Sequence, residues 1–284
     1  MKLSNSSTGE ITAVPVIAVD GPSGSGKGTI SSMLARALNW HFLDSGAVYR
    51  VLAFAALQKE MDLTQEKALS DLAQRLVISF QAGNSGDTDN MGNTVGMANM
   101  GDTGSTGNVG NGDTAAVNES KRVKSKRVNG GSGVERVICE GQNVTEQIRS
   151  EACGNAASKI AVFPSVREAL LMRQRAFRKP PGLVADGRDM GTVVFQDAFL
   201  KIFLEATPAE RAKRRFLQLK DTMHNVTLQS LLTEIEERDR RDTQRAVAPL
   251  KPAKDAVVID TTGLGIEVVF DKVMAEVKQR LYKQ

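Results

Sequence analysis

The sequence contains little of what metal-binding, secreted and membrane-spanning proteins require. Its 284 residues include two histidines and two cysteines, and Cys139 and Cys153 have no further cysteine or histidine at a metal-ligand spacing. We therefore expect two small, buried, hydrophobic thiols in a protein of a reducing compartment. The chain has no run of about 18 or more apolar residues, and its start lacks the apolar stretch of a secretion signal. We expect no membrane span and a cytoplasmic location.

Positive and negative charges are also nearly balanced, since the net charge is only +4. That balance suits a protein with acidic substrates but is too weak to indicate nucleic-acid binding. Aromatic residues are few, with one Trp and two Tyr, and no segment interleaves them with basic residues as single-strand-binding surfaces do. Hydrophobic residues make up 41% of the chain, which is ordinary for a soluble enzyme that buries a substantial core.

Short apolar runs rich in β-branched residues predict buried strands. Four clear runs of this kind lie at 14–20, 182–186, 200–206 and 256–260. A fifth, weaker run lies at 40–44. Segments of helical period lie at 29–38, 46–58, 165–178, 208–219, 227–241 and 266–282. We expect the helix at 208 to start with Thr207 as N-cap, Pro208 in the first position and Glu210 completing a capping box. Strands that alternate with helices predict an α/β fold with a parallel sheet covered on both faces.

One region departs from this pattern. From Gly83 to Gly133 the chain has no aromatic residue, no Leu and no Ile, and Gly, Asn, Asp, Ser and Thr dominate. Such a segment cannot bury enough apolar surface to offset its ordering entropy, so we expect a disordered insertion. Strand-like runs flank it at 76–80 and 135–141, which predicts that it replaces the tip of a β-hairpin. Its basic end, "KRVKSKRV", is more typical of a solvated charge run than of a nucleic-acid contact.

The stretch "AVDGPSGSGKGTI", residues 18–30, is typical of a phosphate-binding loop between a strand and a helix. Glycines let consecutive backbone N–H groups turn toward a phosphate, the helix start adds its positive end, and Lys27 supplies a point charge. A chance glycine-rich turn is the alternative. The residues expected to bind the phosphates of ATP are Gly21, Pro22, Ser23, Gly24, Ser25, Gly26, Lys27, Gly28 and Thr29.

Gly28 stands where the usual loop has Ser or Thr, so the hydroxyl arrives one residue later, at Thr29. The loop resembles that of nucleoside monophosphate kinases, and the resemblance implies that Mg²⁺, carried with ATP, contacts Thr29 and the carboxylate of Asp186 through water. Asp186 closes a predicted strand, where a carboxylate reaches the ligand edge of the sheet. A surface-capping role is the alternative for this Asp.

Two further motifs suit an acceptor nucleotide. In "FLDSGAVYR" a strand ends and a Ser-Gly turn starts a helix, so Ser45 can offer a hydroxyl and Arg50 can fork onto a phosphate. In "ADGRDMGTVVF" the charges Arg188 and Asp189 stand between two glycines at the carboxyl end of a strand, where open α/β sheets bind ligands. A surface ion pair is the alternative for the second motif.

The segment "EERDRRDTQR", residues 236–245, crowds arginines on one side of a predicted helix. Arg238, Asp242 and Arg245 stand at i, i+4 and i+7, with Arg241 close beside them. Guanidinium groups so crowded favour a bound anion such as a transferring phosphoryl group. A salt-bridged solvent face is the alternative, because the segment also holds several carboxylates.

Taken together, "DSGAVYR", "NAAS", "VREAL", "GRDMGTVVF" and "ERDRRD" resemble the bacterial cytidylate (CMP) kinase family from about residue 14 to the end of the chain, apart from 83–134. The loop form "GxxGxGKGT" is similar to that of nucleoside monophosphate kinases in general. The resemblance implies an α/β P-loop core with a five-stranded parallel sheet flanked by helices, an acceptor-binding insertion with a small antiparallel β element, and a short lid. The implied core is 10–45 with 160–284, including a lid at about 207–245, and the implied CMP-binding domain is 46–159.

The resemblance also implies roles for single residues. Ser45, Arg50 and Arg188 would hold the CMP phosphate, and Arg238 and Asp242 would reach its ribose. Ser158, Arg167 and Asp189 would read the cytosine edge, whose N4 amino group donates while N3 and O2 accept. Arg214 would lie near ATP. The residues expected to stabilise the transferred group are Lys27, Arg188, Arg238 and Arg245.

The implied reaction is ATP + CMP to ADP + CDP, a phosphoryl transfer of pyrimidine nucleotide metabolism, by a monomer, with dCMP also accepted. One alternative is a kinase for another nucleoside monophosphate, such as AMP or UMP. A second is a P-loop ATPase that binds nucleic acid through its basic segment. Phosphorylation rates with several nucleoside monophosphates distinguish a CMP kinase from the first alternative. ATP hydrolysis that is stimulated by RNA or DNA and does not depend on CMP would indicate the second.

The low-complexity segment is expected to be dispensable. Replacing 83–133 by a two-residue Asn-Gly turn should leave kcat and the KM for CMP little changed, because both hairpin arms remain. A coupled ADP-release assay on both proteins measures this. A fall in kcat of about tenfold, or a rise in the KM for CMP of about tenfold, would contradict the expectation.

Overall fold

The structure is a computed structural model that describes residues 13–81, 136–220 and 226–281. Their strands are β1 Val16–Asp20, β2 His41–Asp44, β3 Ile78–Gln81, β4 Arg136–Cys139, β5 Gln142–Asn143, β6 Leu183–Gly187, β7 Leu200–Glu205 and β8 Val257–Asp260. Their α-helices are α1 Lys27–Leu38, α2 Ser45–Gln58, α3 Glu66–Arg75, α4 Glu151–Ile160, α5 Pro164–Arg175, α6 Pro208–Leu219, α7 Leu228–Thr243 and α8 Ile266–Leu281.

Five strands form a parallel sheet in the order β2-β6-β1-β7-β8. All residues of the central strands β1 and β6 are buried, as expected for strands covered on both faces. All five predicted strands are therefore confirmed, and so is the α/β fold class. Asp20 lies beside Gly187 and Asp44 beside Asp186, so three carboxylate-bearing positions meet at one edge of the sheet.

The two faces of the sheet pack into two hydrophobic clusters. One face, with Val16, Ala18 and Leu43, packs against helices α2 to α5 and the small sheet. The other face, with Ile17 and Val19, packs against α1 and α8. The alternation of β1 residues between the two clusters follows from the period of two in a strand. Burial on both faces fixes the register of β1 and hence the place where its carboxyl end delivers the following loop.

A smaller antiparallel sheet in the order β3-β4-β5 confirms the two predicted hairpin arms. Gln81 is opposite Arg136, so the arms stay in register up to the point where the low-complexity segment begins. The predicted disorder of 83–134 lies outside the described residues. Cys139 and Cys153 are buried free thiols, as predicted.

The predicted capping box at α6 is wrong. Thr207 does cap the helix, since its side chain accepts from the Glu210 N–H at 3.3 Å, and Pro208 opens the helix. The Glu210 carboxylate, however, accepts from Arg214, and the Thr207 N–H donates to the Thr262 hydroxyl instead. A guanidinium one turn along the helix is a stronger donor than a backbone N–H and takes the carboxylate.

Three further features differ from the sequence-based expectation. The predicted set of helices does not include α3 or α4, and a capping box forms at α7 between Thr227 and Ser230. Helix α7 ends at Thr243, so Arg245 lies beyond it and not on its last turn.

Within the described residues, no helix has both the length and the apolar composition that crossing a membrane requires.

Candidate active site

The phosphate-binding loop connects the carboxyl end of β1 to the start of α1. Gly21 is required there because a Cβ on it would lie 2.1 Å from the Leu204 carbonyl oxygen of the adjacent strand β7. Lys27 opens α1 and is buried, with 8% exposure, and its Nζ donates to the Pro22 carbonyl at 3.0 Å. The lysine is thereby folded back over the loop that it is expected to serve.

Gly28 has a second reason for being glycine besides the displaced hydroxyl. A Cβ at this position would lie 3.2 Å from Asp186 Oδ2. The absence of a side chain therefore lets the carboxylate at the end of β6 approach the first turn of α1. Thr29, the next residue, lines the cavity described below.

Asp186 fits a role beside a magnesium ion. It has 7% exposure, and its Oδ1 has no hydrogen-bond partner among the described residues. Burial raises its pKa to about 6, although Lys27 opposes that shift. The described residues hold no cluster of three His, Cys, Asp or Glu side chains able to bind a metal alone. An ion here would depend on phosphate and water oxygens together with this carboxylate, as Mg²⁺ commonly does.

Asp44 organises the start of the acceptor helix α2. Its Oδ1 accepts from the Ala47 N–H at 2.9 Å, which caps the helix, and its Oδ2 accepts from Arg50 Nη2 at 2.7 Å. Burial raises the pKa of Asp44, but Arg50, the Ala47 N–H and Lys27 outweigh burial and lower it. The carboxylate thus stays charged and holds the guanidinium of Arg50 toward the cavity that Ser45 also lines.

Two of the three predicted base-reading residues are in direct contact. Arg167 Nη2 donates to Asp189 Oδ2, and both side chains are buried. The Arg167 guanidinium also lies over the ring of Tyr49, with Cζ 5.9 Å from the ring centroid. Ser158 is buried as well and lines the same cavity, and its hydroxyl accepts from Arg241 Nε at 3.3 Å. A guanidinium, a carboxylate and a hydroxyl therefore line one cavity, and the first two are in direct contact.

Asp242 on α7 holds two of the predicted arginines. Arg188 Nε donates to its Oδ2 at 2.9 Å, and Arg245 Nε donates to its backbone carbonyl at 3.2 Å. Although Arg245 lies past the helix end, this bond keeps it beside Asp242 as the sequence spacing predicts. Burial raises the pKa of Asp242, but Arg188, Arg245 and Arg238 outweigh burial and lower it.

The cations of the site lack enough acceptors. Arg50 Nε, Arg238 Nε and Arg245 Nη2 are buried, and none has a hydrogen-bond partner within the described part of the chain. Burial, and then the charge of Arg188, lower the pKa of Lys27 to about 7 and that of Arg238 to about 10. Unpaired buried donors are costly in a folded protein. An anion in the cavity would satisfy these donors and offset the mutual repulsion of the cations.

These groups line one cavity of about 890 Å³, a volume typical of a ligand site. Of the residues predicted to bind ATP, CMP or metal, those that line it are Ser23, Gly24, Ser25, Gly26, Lys27, Gly28, Thr29, Ser45, Arg50, Ser158, Arg167, Asp186, Arg188, Asp189, Arg214, Arg238, Asp242 and Arg245. Gly21 and Pro22 do not, since they form the base of the loop.

Arg214 is held by the protein itself. Its Nε donates to Glu210 at 3.0 Å, and its Nη1 and Nη2 donate to the hydroxyl and carbonyl of Thr261, at 3.1 and 2.5 Å. The Thr261 hydroxyl in turn donates to a carbonyl, either that of Ser25 at 3.1 Å or that of Glu205 at 3.0 Å. In this arrangement Arg214 ties α6 to the loop after β8.

Arg211 is a buried residue that the sequence analysis does not single out. Its Nη1 donates to the Ser23 carbonyl and to Asp239 Oδ1, both at 3.0 Å, and its Nη2 contacts Asp239 Oδ2. It therefore links the phosphate-binding loop to α7. In the sequence Arg211 is the first of three arginines in "ERAKRR", a pattern that does not distinguish a buried bridge from a solvated charge.

Asp20, Asp44 and Tyr49 are also site residues for which no role is predicted. Each Asp ends a predicted strand, and Tyr49 stands within "DSGAVYR". Position at the carboxyl end of a parallel strand is a signal that could have pointed to both carboxylates. Nothing in the sequence shows that the Tyr49 ring supports Arg167.

Comparison with known proteins gives one consistent family. The profile described as "Cytidylate kinase" matches residues 17–101 and 107–279. A relative with that name from Stutzerimonas stutzeri (strain A1501) is 50% identical over 270 residues, which cover 95% of this chain and 98% of the relative. A second, from Pseudomonas aeruginosa (strain UCBPP-PA14), is 48% identical over 262 residues, covering 92% and 94%. The crystal structure of TT1252 from Thermus thermophilus is 15% identical, with a TM-score of 0.40 and coverage of 95% and 99%, and supports no further statement.

The Arg211–Asp239 pair should contribute far more to stability than an exposed pair. Asp239→Ala leaves the Arg211 guanidinium, with 3% side-chain exposure, without its counterion, so the free energy of unfolding should fall by about 2 kcal/mol or more. Asp71→Ala is the matched control, since Asp71 pairs with Lys67 on the exposed face of α3, and it should cost about 0.5 kcal/mol or less. Urea unfolding of both variants measures the difference. Equal losses would contradict the bridging role of Arg211.

Proposed function

Because the chain belongs to the cytidylate kinase family, we propose that it transfers the γ-phosphoryl group of ATP to CMP, forming ADP and CDP. The observation that carries the proposal is the shared cavity. A phosphate-binding loop forms one wall, and buried arginines short of acceptors form the wall that would face the transferred group. A nucleotide held at each side would place two phosphate chains end to end, which is what phosphoryl transfer requires.

The donor side consists of the loop 21–29. Its backbone N–H groups and the start of α1 would hold the phosphates of ATP, and Lys27 would exchange the Pro22 carbonyl for the β- and γ-phosphate oxygens. Lys27 would gain charge on doing so, because an anion raises the pKa that burial and Arg188 lower. Arg214 would reach ATP only by exchanging its bonds to Thr261, so its place near ATP stays a proposal.

The acceptor side would hold CMP through its three parts. Ser45, Arg50 and Arg188 would bind the phosphate, and the unpartnered Arg50 Nε is free to donate to it. The ribose would lie against Arg238 and Asp242. These assignments place the CMP phosphate between the start of α2 and the cations that face the donor loop.

Cytosine would lie in the corner formed by Ser158, Arg167 and Asp189. A carboxylate suits the N4 amino donor, and a guanidinium and a hydroxyl suit the N3 and O2 acceptors. Asp189 is already paired with Arg167, so the base would insert beside a pair whose donor and acceptor are fixed in place. Uracil, which has a carbonyl where cytosine has the amino group, would set an acceptor against the carboxylate in place of a donor and should bind less well.

The transfer step forms a bond between an oxygen of the CMP phosphate and the γ-phosphorus. It breaks the bond from that phosphorus to the β–γ bridging oxygen, which leaves on ADP with the electron pair. No general base is needed, because a phosphate oxygen is already a nucleophile. Lys27, Arg188, Arg238 and Arg245 would stabilise the charge on the moving group, and closure of the lid segment, about 207–245, would exclude water.

A magnesium ion would accompany ATP. Asp186, through its unpartnered Oδ1, and Thr29 would hold it through water. When bound, the ion neutralises charge on the β- and γ-phosphate oxygens. Gly28 contributes by leaving room for Asp186 beside the loop.

The remaining parts of the proposal concern the whole protein. We propose a core of 10–45 with 160–284 and a CMP-binding domain of 46–159 that carries the low-complexity segment 83–134. We also propose a cytoplasmic monomer that uses dCMP as well as CMP and has no nucleic-acid partner. Gel filtration tests whether the protein is a monomer, and activity with dCMP tests the use of that acceptor.

A coupled assay of ADP release with CMP, dCMP, UMP and AMP tests the proposed reaction. The expected order of kcat/KM is CMP first, dCMP close behind it, and UMP lower, since the base-reading corner is shared by the two cytosine nucleotides. ADP release that does not depend on CMP would exclude the proposal. Release stimulated by RNA or DNA instead would indicate a nucleic-acid-dependent ATPase.

Lys27→Ala should lower kcat by about 10³-fold or more, because it removes a charge that acts on the transferred group. Lys67→Ala is the matched control, since that lysine is 90% exposed on α3, and it should leave kcat unchanged. Steady-state kinetics with saturating ATP and CMP measure both. Near-normal turnover by the Lys27 variant would contradict the assigned role.

A further inference from the structure

Asp20 is a buried carboxylate that the proposed transfer step does not use. It is the last residue of β1 and has 4% exposure. Its Oδ1 accepts from the Met190 N–H and its Oδ2 accepts from the Gly191 N–H, both at 2.8 Å. These bonds join positions 170 and 171 residues apart in the chain. Both oxygens of one side chain are thus occupied by one short stretch of backbone.

That stretch directly follows Arg188 and Asp189. Met190–Val194 forms a π-helical turn, in which the N–H groups of Val193 and Val194 donate back to the Asp189 carbonyl, at 2.9 and 3.2 Å. The first N–H groups of such a turn have no partner within it, because no earlier carbonyl is in reach. Asp20 supplies acceptors for those of Met190 and Gly191.

The turn is also confined by packing. Met190 is fully buried, and a Cβ on Gly191 would lie 3.1 Å from the side chain of Lys201 and 3.4 Å from Asp20 Oδ2. A side chain at position 191 would press on Lys201, whereas its contact with Asp20 Oδ2 would be of ordinary length. With Met190 packed and Gly191 bonded, the direction in which the preceding residues leave β6 is set.

Asp20 also adjoins the phosphate-binding loop, since Gly21 is the next residue. Asp20 therefore connects the start of the donor loop to the turn that directly follows Arg188 and Asp189. In the proposed function, Arg188 binds the acceptor phosphate and Asp189 reads the base. A carboxylate in this position is costly, because burial raises the pKa of Asp20 to about 7 even though both N–H bonds oppose the shift. A purely apolar contact at the end of β1 would avoid that cost.

We propose that Asp20 is a positioning residue that sets Arg188 and Asp189 against the donor loop, and so controls acceptor affinity and the discrimination of cytosine from uracil. The inference deepens the proposed function and rests on it. It differs from a purely structural role, in which losing Asp20 would reduce the amount of folded enzyme but treat every acceptor alike.

The test compares kcat/KM for CMP and for UMP in the wild type and in Asp20→Asn. Asn keeps one acceptor but turns an amino group toward the second backbone N–H, so the turn must shift. We expect the KM for CMP to rise about tenfold and the CMP-to-UMP ratio to fall about fivefold or more, since small displacements of positioned groups have effects of this size. The KM for ATP should change by less than about threefold.

Thr145→Val is the matched control for a lost buried hydrogen bond. The Thr145 hydroxyl accepts from the Val137 N–H at 2.9 Å in the small sheet, away from the cavity. This variant should lower the melting temperature as Asp20→Asn does but leave the CMP-to-UMP ratio within about twofold of the wild type. Asp20→Ser, which retains a hydroxyl acceptor, provides the same comparison if the Asn variant does not fold.

An unchanged ratio and an unchanged KM for CMP in a folded Asp20 variant would overturn the inference. So would an equal fall of the ratio in Thr145→Val. The wild-type rates with CMP and UMP test the proposed function by themselves. A cytidylate kinase whose Asp20 variants keep full discrimination would therefore refute only the positioning role.

Discussion

The structure depends on keeping buried cations in one cavity with too few acceptors of their own. Burial and the neighbouring Arg188 lower the pKa of Lys27 to about 7, and Arg238 and Arg245 each have a buried N–H donor with no hydrogen-bond acceptor among the residues that the structure describes. Like charges this close repel, and their free energy is lowest when an anion lies among them. The site is therefore built for a ligand that brings several negatively charged oxygens, and the proposed phosphoryl transfer is the chemistry that uses such a site.

The scaffold resists this repulsion with carboxylates at the edge of the parallel sheet and on α7. Asp20 and Asp44 are the last residues of their strands and Asp186 is the last but one of the strand between them, and each has a separate task. Asp44 holds Arg50 and caps α2, Asp20 holds the turn after Asp189, and Asp186 keeps an oxygen free beside the phosphate-binding loop. From the opposite side, Asp242 holds Arg188. The cations are thus fixed by partners that leave part of each guanidinium group available.

Local patterns in the sequence predict the five parallel strands, the phosphate-binding loop and the hairpin arms, because strand burial and loop chemistry depend on neighbouring residues. Local patterns do not predict contacts between residues that lie far apart along the chain. The contacts of Asp20 with Met190, and of Arg211 with Ser23 and Asp239, join segments that only the fold brings together. Glu210 shows a local failure, since its expected capping bond is replaced by one to Arg214. Ser158 and Arg167 were found only through family resemblance, because on a helix each is unremarkable by itself.

In the proposed complex, two nucleotides lie end to end across one charged cavity. A single molecule that joins adenosine and cytidine through five phosphates tests this arrangement, by calorimetric titration and by competition. We expect it to bind about 10²-fold or more tighter than ATP or CMP alone, and to compete with both, because one molecule would occupy both sides at once. Binding no tighter than ATP, or competition with only one of the two nucleotides, would contradict it.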